Sequence, residues 1–87
     1  MTPNALKAWR IKYNLSADQA AALLGLSIGW YSNLENGRVR GTNRVSVISK
    51  SVALNAVLIA EWFSSGINYE DALKASEHPE RCLQLLD

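Results

Sequence analysis

Leu15-Ser-Ala-Asp-Gln-Ala-Ala-Ala-Leu-Leu-Gly-Leu-Ser-Ile-Gly-Trp-Tyr-Ser-Asn-Leu-Glu-Asn-Gly-Arg38 is the stretch on which the fold turns. Ser16-Ala-Asp-Gln19 reads as a capping box, in which the hydroxyl serves the new helix and Gln19 reaches back. A helix then runs to Leu24, and Gly25 stands where a left-handed turn residue is wanted. Ser27 caps the next helix, which passes through Tyr31 and Leu34 to Asn36 before Gly37 stops it. The three-residue link Gly25-Leu26-Ser27 forces the second helix to cross the first. Ala20 and Ala21 are small enough for close approach, and Leu24, Leu26, Tyr31 and Leu34 fill the space between. That is helix-turn-helix geometry, in which the second helix can enter a DNA major groove.

Outward from this unit the signals remain helical. Thr2-Pro3 is an N-cap followed by proline at the first helical position. Helix 1 then reaches about Tyr13 with Leu6, Trp9 and Tyr13 on one stripe, and Asn14 ends it in a left-handed conformation. Residues Arg38 to Asn43 are polar, basic and glycine-containing, which predicts a loop. A fourth helix is expected from Arg44 or Val45 to about Ser64, ended by Gly66. A shorter one, capped by Asn68, is expected over Tyr69–Ser76, and His78-Pro79 permits a last turn or two over Glu80–Leu86. Apolar 3-4 spacing recurs and two-period strands do not, so the class is all-α, a compact bundle of about five helices. We divide it as residues 1–64, the DNA-binding unit, and 65–87, a C-terminal helical extension.

Composition limits the function classes. The chain has 87 residues, 48% hydrophobic and 20% charged, enough for one small core. Cys82 is the single cysteine, so no intrachain disulfide forms and a reducing, cytoplasmic setting is expected. The longest apolar stretch, Val52–Phe63, is interrupted by Asn55 and Glu61 and is too short for a membrane span. The N-terminus lacks the pattern of a signal peptide. Net charge is +1, but its distribution is uneven. Residues 1–60 carry seven basic against two acidic side chains, a net +5, whereas residues 61–87 carry two against six, a net −4. A basic face for phosphates and an acidic segment turned away from it follow from that asymmetry.

The quoted run resembles the XRE/Cro family of phage repressors, through Leu15-Ser16, Gln19-Ala20-Ala21, Leu24-Gly25-Leu26-Ser27 and Leu34-Glu35-Asn36-Gly37. The resemblance spans roughly residues 4–60. It implies a lambda-repressor-like fold of five short helices and, usually, dimers on palindromic sites; it also implies a bacterial, phage or plasmid origin. By the same resemblance Asn36 takes a phosphate-contacting position. The loop bearing Arg38, Arg40, Asn43 and Arg44 then lies along the DNA backbone, with Arg40 or Arg44 able to reach the minor groove. Arg10 and Glu35 are expected as a structural ion pair tying the recognition helix to helix 1.

Projecting the recognition helix at 100° per residue turns Tyr31 and Leu34 inward and Gly29, Ser32, Asn33 and Asn36 outward. Ile28 and Trp30 lie on the flanks, with Trp30 expected at the rim of the core. The candidate base-contacting residues are Ser27, Ile28, Gly29, Ser32 and Asn33. Asn33 can bond adenine twice, Ser32 can bond several bases, and Ile28 can touch a thymine methyl. Gly29 lets the backbone approach, although so bare a surface departs from the family's usual polar reading face. Helix N-termini attract phosphates, which adds Ser16, Ala17 and Gln19 to the backbone-contacting set.

One recognition helix reads few base pairs, and a two-fold pair places two of them about 34 Å apart on one DNA face. Trp62, Phe63, Ile67, Tyr69 and Leu73 either cover the side of the domain away from DNA or form the dimer interface, for which they are the candidates. The expected partners are therefore double-stranded operator DNA and a second copy of the chain. The functional expectation is a homodimeric repressor, with no cofactor and no metal. An enzyme is disfavoured: His78 and Cys82 share a four-residue spacing, but two ligands do not make a zinc site, and no third nucleophilic partner is evident. The alternative is an antitoxin-type interaction module that autoregulates its operon; a toxin or polymerase contact by the acidic, apolar tail is compatible with the sequence.

Overall fold

The computed structural model describes residues 1–77. Five helices follow in order: α1 (Pro3–Lys12), α2 (Ala17–Leu24), α3 (Ile28–Asn36), α4 (Lys50–Ser64) and α5 (Tyr69–Glu77). The expectations for His78, Pro79, Cys82 and the last turns over Glu80–Leu86 lie outside the described residues.

Local chemistry sets most of the helix ends. Thr2 Oγ1 accepts from the Ala5 amide at 3.1 Å, with Pro3 opening α1. Asn14 has φ 57°, the one non-glycine left-handed residue among those described, and so turns the chain toward α2. Ser16 Oγ accepts from the Gln19 amide at 3.1 Å while the Ser16 amide donates to Gln19 Oε1 at 2.9 Å, completing the box. Gly25 at φ 70° separates α2 from α3, a conformation that costs a residue with a Cβ about 1–2 kcal/mol. Asn68 Oδ1 caps α5 through the Asp71 amide.

Tyr31, Leu6 and Leu34 are the largest fully buried side chains, joined by Trp9, Leu15, Leu23, Leu24, Ile48 and Ile59. Ala20, Ala21, Ala56 and Ala72 are buried with them, and at such small residues helix backbones approach closely. Pairing runs α2 on α3, α1 on α3, and α5 against both α2 and α4. The α5 helix of the C-terminal extension thus contributes Ala72 to the same core as the N-terminal helices.

Two expectations need correction. α4 begins at Lys50, not at Arg44 or Val45. Residues 45–48 are extended instead, because Arg38 and Val45 form an antiparallel bridge and the Ser46 amide donates to Gly37 O at 3.1 Å. Ser49 then caps α4 by accepting from the Val52 amide. Trp62, Phe63, Tyr69 and Leu73, which the sequence offers either as cover for the domain or as a dimer interface, are half-buried against the protomer's own core. Phe63 lies 5.1 Å from the Tyr13 ring, closing the end of α4 onto the end of α1. Ile67 alone of those five is exposed, at 37%. The second correction is Trp30, which stands among the exposed large apolar side chains at 41% rather than at the rim of the core.

Candidate nucleic-acid interface

α3 is amphipathic in the required sense. Tyr31 and Leu34 are buried beneath it, whereas Ile28, Gly29, Ser32 and Asn36 are exposed on the opposite side. Asn33 is half-buried at the edge of that exposed face.

The basic loop folds back on this face. The Val39 amide donates to Arg44 O at 2.9 Å, and Thr42 closes the turn by donating its amide and its hydroxyl to Val39 O. Gly41, at φ 77°, makes the reversal possible. Two bonds then anchor the loop to α3. The Arg40 amide donates to Asn33 Oδ1 at 3.0 Å, and Ser46 Oγ donates to Asn33 O at 2.6 Å. An open cleft of about 410 Å³ results. Gly29, Ser32, Asn33 and Asn36 form one wall, and the loop from Arg38 to Thr42 forms the other. Arg38, Arg40 and Arg44 are exposed, and none has an ion-pair partner among the described residues.

These bonds limit what some candidate residues can offer. Asn33 Oδ1 already serves the Arg40 amide, so its free capacity is one lone pair and the Nδ2 donors. Ser27 Oγ accepts from the Trp30 amide at 3.2 Å and keeps its own proton to donate outward. The Ser16 amide is consumed by Gln19 Oε1, which leaves Gln19 Nε2 and the next amides at that helix end to face an anion. Asp18 stands in the first turn of α2 and opposes an anion there. Asn43 is exposed in the loop beside Arg44.

Arg10 and Glu35 meet at the back of α3. Arg10 Nε donates to Glu35 Oε1 at 2.7 Å, its Nη2 to Oε2 at 3.5 Å, and its Nη1 to Leu15 O at 3.2 Å. The bond to Glu35 is the leading reason that the guanidinium is held above its usual pKa. A third member, unforeseen from sequence, is Tyr31: its hydroxyl donates to Glu35 Oε1 at 2.7 Å. Burial chiefly, and then that hydrogen bond, push the phenol well above its usual pKa. The available signal was the four-residue spacing of Tyr31 and Glu35 on one helix.

Ser46 is the other residue that sequence reasoning missed. It is 5% exposed while its neighbours Val45 and Val47 are 73% and 74% exposed, the reverse of their polarities. Its two hydrogen bonds decide the orientation. Ser46→Ala is expected to cost about 1 kcal/mol, and to loosen the basic loop from α3. Faster amide hydrogen exchange at Arg40 would register the loosening, and unchanged exchange there would show that Asn33 Oδ1 and the main-chain bonds hold the loop without the Ser46 hydroxyl.

Among the described residues no three His, Cys, Asp or Glu side chains assemble as a metal site, and no helix is long and apolar enough to cross a membrane. No curated protein and no solved structure matches the chain significantly. A family model described as a helix-turn-helix domain matches residues 4–49, just over half of the chain, ending one residue before α4 rather than near residue 60. With its packed α2–α3 pair and exposed α3 face, the chain belongs to this helix-turn-helix family, which is of the XRE/Cro-like type and marks a DNA-binding domain.

Proposed function

We propose that the protein is a sequence-specific transcriptional regulator that binds a palindromic operator as a homodimer and represses by occupying the promoter. The observation that carries this reading is the shared cleft. The exposed face of α3 and two arginines without acidic partners among the described residues, Arg38 and Arg40, line one cleft, with the likewise unpaired Arg44 in the same loop. The N-terminal half of α3 enters the major groove, where Ser27, Ile28, Gly29, Ser32 and Asn33 meet base edges. Ser32 and Asn33 Nδ2 supply polar contacts, Ile28 an apolar one, and Gly29 lets the backbone come close. Arg38, Arg40, Asn43 and Arg44 grip phosphates on one side, together with Asn36 at the end of α3. On the other side the α2 N-terminus contributes, through the Ser16 hydroxyl, the Ala17 amide and Gln19 Nε2. Residues 1–64 carry these contacts, and α5 packs against α2 and α4.

Fluorescence anisotropy with DNA from upstream of the protein's own gene, against a scrambled duplex, tests this reading. Binding about 10³-fold tighter than to the control is expected, with affinity falling steeply as salt rises. Equal, weak binding to both duplexes would leave the operator-binding reading without support.

A further inference from the structure

The outer face of α4 carries three exposed large apolar side chains, more than any other described helix. Leu54, Val57 and Leu58 are 60%, 53% and 45% exposed. Ala56 and Ile59, on the opposite side of the same helix, are buried. Lys50 and Glu61 are exposed at its two ends, and neither has an ion-pair partner among the described residues. At 100° per residue, Lys50, Leu54, Val57 and Glu61 fall within about 60° of one another, spaced four, three and four apart. That spacing is the seam of a helix pair.

The order of the four residues along the seam selects the partner. In an antiparallel pair related by a two-fold axis midway between Leu54 and Val57, Leu54 meets Val57 of the other helix. Lys50 meets Glu61 at each end. The seam is thus complementary to itself in both shape class and charge, as an isologous interface requires. A parallel pairing would set Lys50 against Lys50 and Glu61 against Glu61. We infer that α4 is the dimer interface of this protein, pairing antiparallel with α4 of a second copy through Leu54 and Val57, with Lys50–Glu61 bridges at both ends and Leu58 alongside.

This inference rests on the homodimer reading and names a surface for it. It differs from the aromatic cluster suggested by the sequence, whose side chains are mostly committed within the protomer. Three aliphatic side chains per copy fall well short of the roughly 800 Å² per partner of a standard stable interface. The free dimer is accordingly weak, and two copies held on adjacent half-sites close it.

The test is charge reversal in the full chain, read by sedimentation equilibrium up to about millimolar protein, with each dissociation constant taken relative to the parent. Lys50→Glu and Glu61→Lys each place like charges at both ends of the seam and are expected to weaken self-association about tenfold. The two changes shift net charge in opposite directions, so a common effect reports pairing rather than overall charge. The double variant, with Lys50→Glu and Glu61→Lys together, restores complementarity and is expected to return to within about threefold of the parent. All these positions are exposed, so the variants keep the core intact. Self-association insensitive to either reversal, a double variant no better than the singles, or a chain monomeric throughout the range would overturn the inference. The measurement contains no DNA, so its failure is separate from failure of operator binding, which the anisotropy titration reads.

Discussion

Replacing Glu35 with alanine is expected to destabilise the domain by about 3 kcal/mol, lowering its melting temperature by roughly 12–24 °C for a chain of this size. Glu35 is the common acceptor of two donors brought from different elements. Arg10 reaches it from α1 and Tyr31 from one turn earlier on α3. Truncation leaves the hydroxyl of a fully buried tyrosine without an acceptor, and a largely enclosed guanidinium without its carboxylate. Glu35→Gln keeps an oxygen for Tyr31 but removes the charge, so a loss of about 1–2 kcal/mol is expected. Replacing all three members together, as Arg10→Met, Tyr31→Phe and Glu35→Met, removes the unpaired groups and is expected to recover most of the stability. Thermal unfolding followed by circular dichroism measures each variant. A cost below about 0.5 kcal/mol for Glu35→Ala, in the range of an exposed ion pair, would show that the network contributes nothing to the position of α3.

The same network predicts an alkaline limit. The Tyr31 phenol is raised in the folded state, so its contribution is fully present below the ordinary tyrosine value near 10 and is lost as pH climbs above it. Tyr31→Phe is expected to flatten that part of the stability profile.

The second large effect falls on binding rather than stability. Arg38→Gln, Arg40→Gln and Arg44→Gln combined are expected to lower the salt slope by up to about 2.7, or 0.9 for each phosphate no longer neutralised. Affinity for any duplex then falls by roughly 10²–10³ at low salt. The ratio of operator to scrambled DNA is expected to stay nearly constant, because phosphate contacts carry no sequence information directly. Stability is expected to change by less than about 0.5 kcal/mol, since these side chains are exposed and have no ion-pair partners among the described residues. The Arg40 main-chain bond to Asn33 survives the substitution, so the loop keeps its place. An unchanged salt slope would mean that the arginines do not lie on the DNA backbone, and the proposed docking would have to be abandoned.

The amino-acid sequence alone determined whatever depends on groups within about four residues of one another. The box between Ser16 and Gln19, the cap at Ser27, and the left-handed residues Asn14, Gly25 and Gly37 each settle a helix end by local bonding or sterics. The buried side of α3 followed in the same way, because the helical period carries Tyr31 and Leu34 to one face. Together these define the packed pair α2–α3 and the exposed face of α3.

Tertiary structure decided the rest, wherever a residue's partner is distant in the chain. Val45, Val47 and Ile48 read as the start of a helix until Ser46 is seen bonded to Gly37 and Asn33, which draws the segment into an extended strap. Asn33 reads as a free side chain until the Arg40 amide occupies its oxygen. Trp62, Phe63, Tyr69 and Leu73 read equally as cover for the domain or as surface awaiting a partner until they are seen packed against their own core, and the outer face of α4 is left apolar. Hydrophobic periodicity says that a side chain will be covered; only the packed chain says by what, because burial is non-directional and any apolar surface within reach can supply it.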